Sequence, residues 1–256
     1  MRVKEKPKLA VYKLSSCAGC QLQLLNLEPV LLDLAEVVDI IKYFVMAGES
    51  APGPYDLGLV EGAVTCGEEI LRLKEAREQC RTLVALGSCA CFGGVPSIKN
   101  WVPERVVEGL VYPDTTVLHS TKAYGVDQYV TVDGYLRGCP VSRDEVVELI
   151  NALRLGIQPR PRLHAVCMEC KLRENPCLWL EEGLPCLGPV TAAGCGALCP
   201  TNSRACEGCR GPSSDANTLS LARSWREAGL SKHEVARRFR KFAGLAPEFE
   251  QGARAV

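Results

Sequence analysis

No run of apolar residues in this 256-residue chain reaches the roughly 20 needed to cross a bilayer as a helix. No charge of one sign dominates: 30 lysines and arginines balance 30 aspartates and glutamates, so nothing suggests a nucleic acid or an anionic membrane as partner. No internal repeat or low-complexity tract stands out. No dinucleotide fingerprint is present, since Gly87-x-x-x-x-x-Gly93-Gly94 lacks the G-x-G-x-x-G spacing. The opening MRVKEKPKLAVYKL is charged and then strand-like, unlike a secretory signal, so the expected location is the reducing cytoplasm, where thiols stay free for metals. Apolar residues make up 47%, ample for a core in one large domain or two smaller ones.

What the chain has in excess is cysteine, 15 in all and unevenly spread. Eight fall between Cys167 and Cys209 as C-x2-C-x6-C-x8-C-x8-C-x3-C-x6-C-x2-C, and none follows. Such density in a reducing compartment points to metal binding rather than disulfides. Eight thiolates make two sets of four. The segment has few large apolar residues, so bound metal is expected to supply much of its folding free energy. Gly156-Ile-Gln-Pro-Arg-Pro-Arg162 discourages regular structure and marks a boundary, giving domains 1–156 and 157–256.

In the first part, strands are expected at Leu9–Leu14, Val37–Phe44, Tyr55–Val60 and Thr82–Leu86, with a short one at Thr116–Leu118. Helices are expected over Gln21–Leu34, with Leu22, Leu25, Val30 and Leu34 inward, and over Glu68–Gln79 and Arg143–Leu153; Ala51–Pro54 reads as a loop. This alternation argues for an α/β fold with a doubly wound parallel sheet. Cys17 and Cys20 sit in Ser-Ser-Cys-Ala-Gly-Cys, where the first strand turns into a helix. Cys89 lies in Gly-Ser-Cys-Ala-Cys-Phe-Gly-Gly after the fourth strand, and Cys139 in Arg-Gly-Cys-Pro-Val before a helix. Four cysteines thus gather at the sheet edge where open α/β folds bind ligands. Four thiolates hold a [4Fe–4S] cluster or zinc. Cys91 competes with Cys89, and Cys89 is preferred because it directly follows the strand end.

Beyond the cysteines, Asn217–Ala228 reads as an amphipathic helix stopped by Gly229. Ser231-Lys-His-Glu234 is a capping box for a second helix, to about Ala243. Its basic residues Arg237, Arg238, Arg240 and Lys241 are expected on a solvated face, with a partner subunit as the alternative.

With SSCAGC, GSCACFGG and RGCPV located, the chain resembles the small, electron-transferring subunit of nickel–iron hydrogenases over nearly its whole length. Its tail, Gly211–Val256, looks most like cytosolic members of the sulfhydrogenase or NADP-linked kind. The resemblance implies a flavodoxin-like domain with a proximal [4Fe–4S] cluster on Cys17, Cys20, Cys89 and Cys139, followed by a cysteine-rich domain with medial and distal clusters. Many members have a histidine ligand on the distal cluster and a proline that leaves the medial one as [3Fe–4S]. Here Cys167 and Cys199 stand at those places. The implied sets are Cys167, Cys170, Cys177 and Cys186 for the distal cluster, and Cys195, Cys199, Cys206 and Cys209 for the medial. Three [4Fe–4S] clusters would suit a low-potential acceptor.

The resemblance also places the nickel–iron centre in a separate large subunit and implies a flavin- or nucleotide-binding, or iron–sulfur, acceptor subunit at the far end. Cys66, Cys80 and Cys91 are left over as small buried hydrophobes. Glu61, at a strand end, is read evenly as a proton-path carboxylate or an ordinary loop residue. His164 is a possible hydrogen-bond donor to a cluster sulfur, while His119 and His233 have no constellation around them. Competing readings are a small subunit of an F420-non-reducing hydrogenase feeding a heterodisulfide reductase, a zinc-binding structural protein, and a hydrogen-sensing regulator.

Overall fold

The computed structural model describes residues 6–27, 36, 38–43, 52–157 and 159–255. Five strands, β1 (Lys8–Lys13), β2 (Asp39–Tyr43), β3 (Tyr55–Glu61), β4 (Cys80–Leu86) and β5 (Gly134–Leu136), form one parallel sheet in the order β2-β1-β3-β4-β5. This is the flavodoxin-like order. Successive side chains on a strand point to opposite faces. Leu9, Val11, Leu57, Leu59, Val84 and Leu86 therefore share one buried cluster, and Ala10, Tyr12, Val60, Leu83 and Ala85 the other. Burial on both faces is why the strands read as continuous apolar runs.

Helix α1 (Gly19–Leu25) packs on the first face, and α2 (Gly67–Gln79) on the second through Leu73 and Ala76. The short α3 (Gly87–Phe92) continues directly from β4. It is followed by a 3-10 stretch, Val95–Trp101, and by α4 (Glu104–Val111). Helix α5 (Arg143–Leu155) returns to the first face through Val146, Leu149 and Ile150, and Gly156 ends it with φ 68°.

Two expectations are corrected here. Leu22 is not inward but 47% exposed, because α1 begins at Gly19 and its inward stripe falls on Cys20 and Leu24, four residues apart. Thr116–Leu118 is not a strand. Asp114 accepts bonds from Thr116 N (2.9 Å) and Thr116 Oγ1 (2.7 Å), which turns the chain. The fifth strand is Gly134–Leu136, paired with Val84–Leu86. Val30, Leu34, Val37, Phe44 and Ala51 lie outside the described residues.

The cysteine-rich part has short helices, α6 (Val166–Leu172), α7 (Leu178–Glu182) and α8 (Leu198–Thr201), joined by turns. Three further helices follow: α9 (Thr218–Glu227), α10 (Lys232–Arg240) and α11 (Pro247–Arg254). Asn217 caps α9, the Ser231–Glu234 capping box opens α10, and α11 was not expected. Trp225, Phe239 and Phe249 stack in series, 5.5 and 5.6 Å between ring centres, and bury Val166, Leu187, Val190 and Ala197 beneath them. The cysteine segment thus borrows a core from the helices that follow it.

The basic residues of α10 are corrected in part. Arg238 and Lys241 pair with Glu207 at 3.5 and 2.9 Å, and the Arg240 guanidinium lies 4.0 Å from the centre of the Trp101 ring. Arg237 lies near enough to Glu234, on its own helix, to help keep that carboxylate ionised. Arg238 and Arg240 are therefore packed against the protein itself, while Arg237 and Lys241 stay exposed, as expected of a solvated face.

Candidate metal centres

Parallel strands point their carboxyl ends at one edge, so the residues after β1, β4 and β5 meet there. Cys17 and Cys20 follow β1, Cys89 follows β4 and Cys139 follows β5. Glu61 ends β3 between them, buried. One of its oxygens accepts the Cys20 amide at 3.0 Å and the other accepts Gln21 Nε2 at 2.9 Å. The carboxylate therefore anchors the first turn of α1 and with it the C-x2-C loop.

The thiols are near enough to act on one another. Burial drives the Cys20 pKa up, and the charges of Glu61, Cys139 and Cys89 add to it. Cys89 is pushed up to about 11 by burial and by Cys17, against the pull of the Val95 amide. Cys139 also rises to about 11, through burial and then Cys89 and Cys17. Glycine keeps the backbone close. A Cβ at Gly94, where φ is +56°, would lie 2.6 Å from Cys89 Sγ, and one at Gly87 2.4 Å from Cys20 Sγ.

Beyond the sheet, Cys167 is pushed up to about 11 by burial and then by Cys186, Cys170 and Cys177. A Cβ on Gly188 would meet Cys167 Sγ at 3.3 Å and Cys186 Sγ at 3.4 Å. These four thiols form one neighbourhood. Burial, then Cys195 and Glu207, raise Cys199. Cys209 reaches about 12 through burial, with Cys195, Cys139 and Cys199 adding charge. Cys206, the one fully buried cysteine of this segment, is acted on by Cys186 and Cys209, so it sits where the two neighbourhoods touch. Its amide donates to Cys186 Sγ at 3.2 Å, and the Cys139 amide faces the Cys209 sulfur and works against the rise of its pKa. Each junction between sets is therefore bridged by the backbone of a cysteine.

Buried thiols with mutually adverse charge call for cationic partners, and the amides aimed at them suit sulfur ligands of a metal. Among the described residues no three Cys, His, Asp or Glu side chains converge tightly enough for one metal ion. Four thiolates on a single zinc would stand within about 4 Å of one another, given Zn–S bonds of about 2.3 Å. A cluster spreads its thiolates over several irons, and a set of four cysteines supplies the ligands it needs.

Of the other candidates, Cys91 is buried with its thiol toward the carbonyls of Ala85 and Leu136, and Cys80 is buried against Tyr12, as expected of small core residues. Cys66 differs: it is half-buried at the start of α2. His164, His119 and His233 are exposed.

Sequence reasoning missed three supports. Arg210 is buried and binds Glu145 with both Nη atoms (2.9 and 2.7 Å), the Arg137 carbonyl (2.6 Å) and the Ala193 carbonyl (2.5 Å). Ser88 Oγ donates to the Cys209 carbonyl. Glu169 accepts the amides of Gly194 (2.8 Å) and Ala197 (3.2 Å), holding the loop of Cys195. Only adjacency to cysteine signalled any of the three in the sequence.

A family model described as "NADH ubiquinone oxidoreductase, 20 Kd subunit" matches residues 17–153, which contain all four sheet-edge cysteines. "Sulfhydrogenase 2 subunit delta" of Pyrococcus furiosus is 38% identical over 92% of this chain and 99% of its own length. The chain belongs to the small-subunit family of nickel–iron hydrogenases. A vhu subunit of the F420-non-reducing hydrogenase of Methanocaldococcus jannaschii is 30% identical, covering 80% of this hydrogenase small subunit and 81% of its own length. Among solved structures, an NAD+-reducing [NiFe]-hydrogenase in the H2-reduced state matches with TM-score 0.54 and 28% identity, over 60% of this chain and 94% of that one. As a hydrogenase small subunit the protein is part of an oxidoreductase, and among the described residues no helix is long and apolar enough to cross a membrane.

Proposed function

We propose that this subunit relays electrons through three [4Fe–4S] clusters between a nickel–iron large subunit and a low-potential acceptor subunit of the flavin and NAD(P) kind. The single observation that carries this is the grouping of twelve cysteines into adjoining neighbourhoods, linked by the Cys139 and Cys206 amides. Cys17, Cys20, Cys89 and Cys139 would hold the proximal cluster. Cys195, Cys199, Cys206 and Cys209 would hold the medial, and Cys167, Cys170, Cys177 and Cys186 the distal. When bound, such clusters pass one electron at a time.

The chain's own residues set the path. Exposed Cys17 and Cys139 put the first set at the sheet edge, where the large subunit would dock. Glu61 holds the C-x2-C loop from beneath. The exposed thiol of Cys177 marks the other end, toward the acceptor. All-thiolate ligation supports exchange with a low-potential carrier in the cytoplasm. The likeness to F420-non-reducing hydrogenase subunits supports a second reading, in which the acceptor belongs to a heterodisulfide reductase.

Anaerobic iron and acid-labile sulfide analysis, with spectra of the reduced protein, tests the reading. About twelve of each per chain, with no oxidised [3Fe–4S] signal, is the expected result for three cubanes. About eleven irons with that signal in fully loaded protein would remove Cys199 as a ligand. Zinc without sulfide would overturn the relay.

A further inference from the structure

Glu207 occupies an unusual place, inside the Cys206-Glu-Gly-Cys209 loop and clamped by two cations from a helix that carries no cysteine. Its side chain is 30% exposed, with Lys241 Nζ at 2.9 Å on one oxygen and Arg238 Nη1 at 3.5 Å on the other. The loop itself is fixed. At Gly208, φ is +75°, and an added Cβ would come within 2.8 Å of Leu187 and 2.9 Å of Phe249. The carboxylate therefore keeps a set position beside Cys199, on whose thiol its charge acts.

We propose that Glu207, Arg238 and Lys241 are positioning residues whose combined charge sets the reduction potential of the cluster held by Cys195, Cys199, Cys206 and Cys209. The inference rests on the iron–sulfur reading above and gives the C-terminal helices an electrical role as well as a packing one. A fixed negative charge disfavours arrival of an electron, and a fixed positive charge favours it. Three charges in one clamp can thus be removed singly, with opposite effects on the same cluster.

The test is an EPR-monitored redox titration of the assembled hydrogenase complex carrying Glu207→Gln, Lys241→Met or Arg238→Met. Glu207→Gln is expected to raise the potential and the two cation variants to lower it. Each shift corresponds to a two- to tenfold change in the reduction equilibrium, the upper end being about 59 mV for a one-electron couple. Lys241 gives the smaller effect of the two cations, because its side chain is 47% exposed against 34% for Arg238 and water screens it. Iron and sulfide contents stay unchanged.

A purely structural clamp would shift all three variants the same way, or none, and either result overturns the inference. If Glu207→Gln loses its cluster, Lys241→Met and Arg238→Met still decide: lowered potentials support the inference, and unchanged or raised ones overturn it. A wild-type complex lacking iron and sulfide would overturn the relay itself. Unshifted potentials in a fully loaded complex overturn only the role of the clamp.

Discussion

The cysteines at the sheet edge and those beyond it are brought together by different means. Cys17, Cys20, Cys89 and Cys139 are far apart in sequence and meet because parallel strands end side by side. Their positions come from strand register and a core buried on both faces. The eight from Cys167 to Cys209 are close in sequence and meet through turns, several at positive φ, including Ala197 at 52° and Gly208 at 75°. Short helices tie them, and their apolar support comes from Trp225, Phe239 and Phe249. One set is carried by strand register and a packed core. The other is a local arrangement that bound metal would complete.

Removing iron with a chelator under reducing conditions should expose this contrast most fully. Binding of a structural metal to a small cysteine domain is worth on the order of 10 kcal/mol. Hydrogen exchange should then show amides from Val166 to Cys209 losing protection by several orders of magnitude, while those of β1, β3 and β4 change by less than about tenfold. Equal loss in both regions would break the comparison.

Glycine substitutions sharpen it. Gly94→Ala puts a Cβ 2.6 Å from Cys89 Sγ and 2.7 Å from its Cα, at a φ of +56° that disfavours a side chain. The neighbour is backbone locked to the sheet, so iron content should fall by about a third, one cluster of three. Gly188→Ala meets Cys167 and Cys186 Sγ at 3.3 and 3.4 Å and Cys206 Cβ at 3.8 Å, all side-chain atoms, at an ordinary φ. The turns there should yield, leaving iron content intact and altering only the spectrum. Cluster loss in Gly188→Ala would mean the second region is as rigid as the first.

Arg210 joins the two regions, running from beside Cys209 to Glu145 on α5. Arg210→Met leaves a buried carboxylate with Arg162 at 3.4 Å as its remaining cation. The expected cost is about 3–5 kcal/mol in unfolding free energy. Adding Glu145→Leu should recover most of it, because two matched apolar groups no longer strand a charge. A single variant within about 0.5 kcal/mol of wild type would show that the regions are not coupled through this pair.

The same division decides what the sequence revealed. β1, β3, β4, α2 and α5 were legible because apolar runs alternate with helical stretches, and the placing of Cys17, Cys20, Cys89 and Cys139 followed from strand ends. Leu22 was misplaced because α1 starts inside the C-x2-C loop, two residues earlier than its apolar pattern suggests. Thr116–Leu118 has strand-forming residues, but Asp114 turns the chain before any pairing. β5, only Gly134–Leu136, is too short to show a period. The basic face of α10 looked solvated because charge patterning does not reveal a partner such as Glu207 more than 30 residues away. Arg210 could not be read as buried for the same reason: its partners Glu145 and the Arg137 carbonyl are brought by the fold. Cysteine spacing within each loop is local and survives in sequence, whereas partners such as Glu145 for Arg210 and Glu207 for Lys241 are distant and do not.

The smallest predicted effect concerns Cys91, which sequence left in competition with Cys89. α3 turns the two thiols in different directions. Cys89 is half-buried toward Gly94 and accepts the Val95 amide. Cys91 points between the carbonyls of Ala85 and Leu136, 3.7 Å from each, and burial pushes its pKa up to about 12. A thiol turned to two core carbonyls is not aimed at the edge where Cys17, Cys20, Cys89 and Cys139 gather. Cys91→Ala should therefore leave iron and sulfide unchanged and cost about 1–2 kcal/mol for the lost packing. Cys89→Ala should remove about one cluster in three. If the two variants lost iron equally, the sheet edge would not discriminate between neighbouring thiols, and the contrast between a site fixed by strand geometry and one completed by metal would fail at its clearest point.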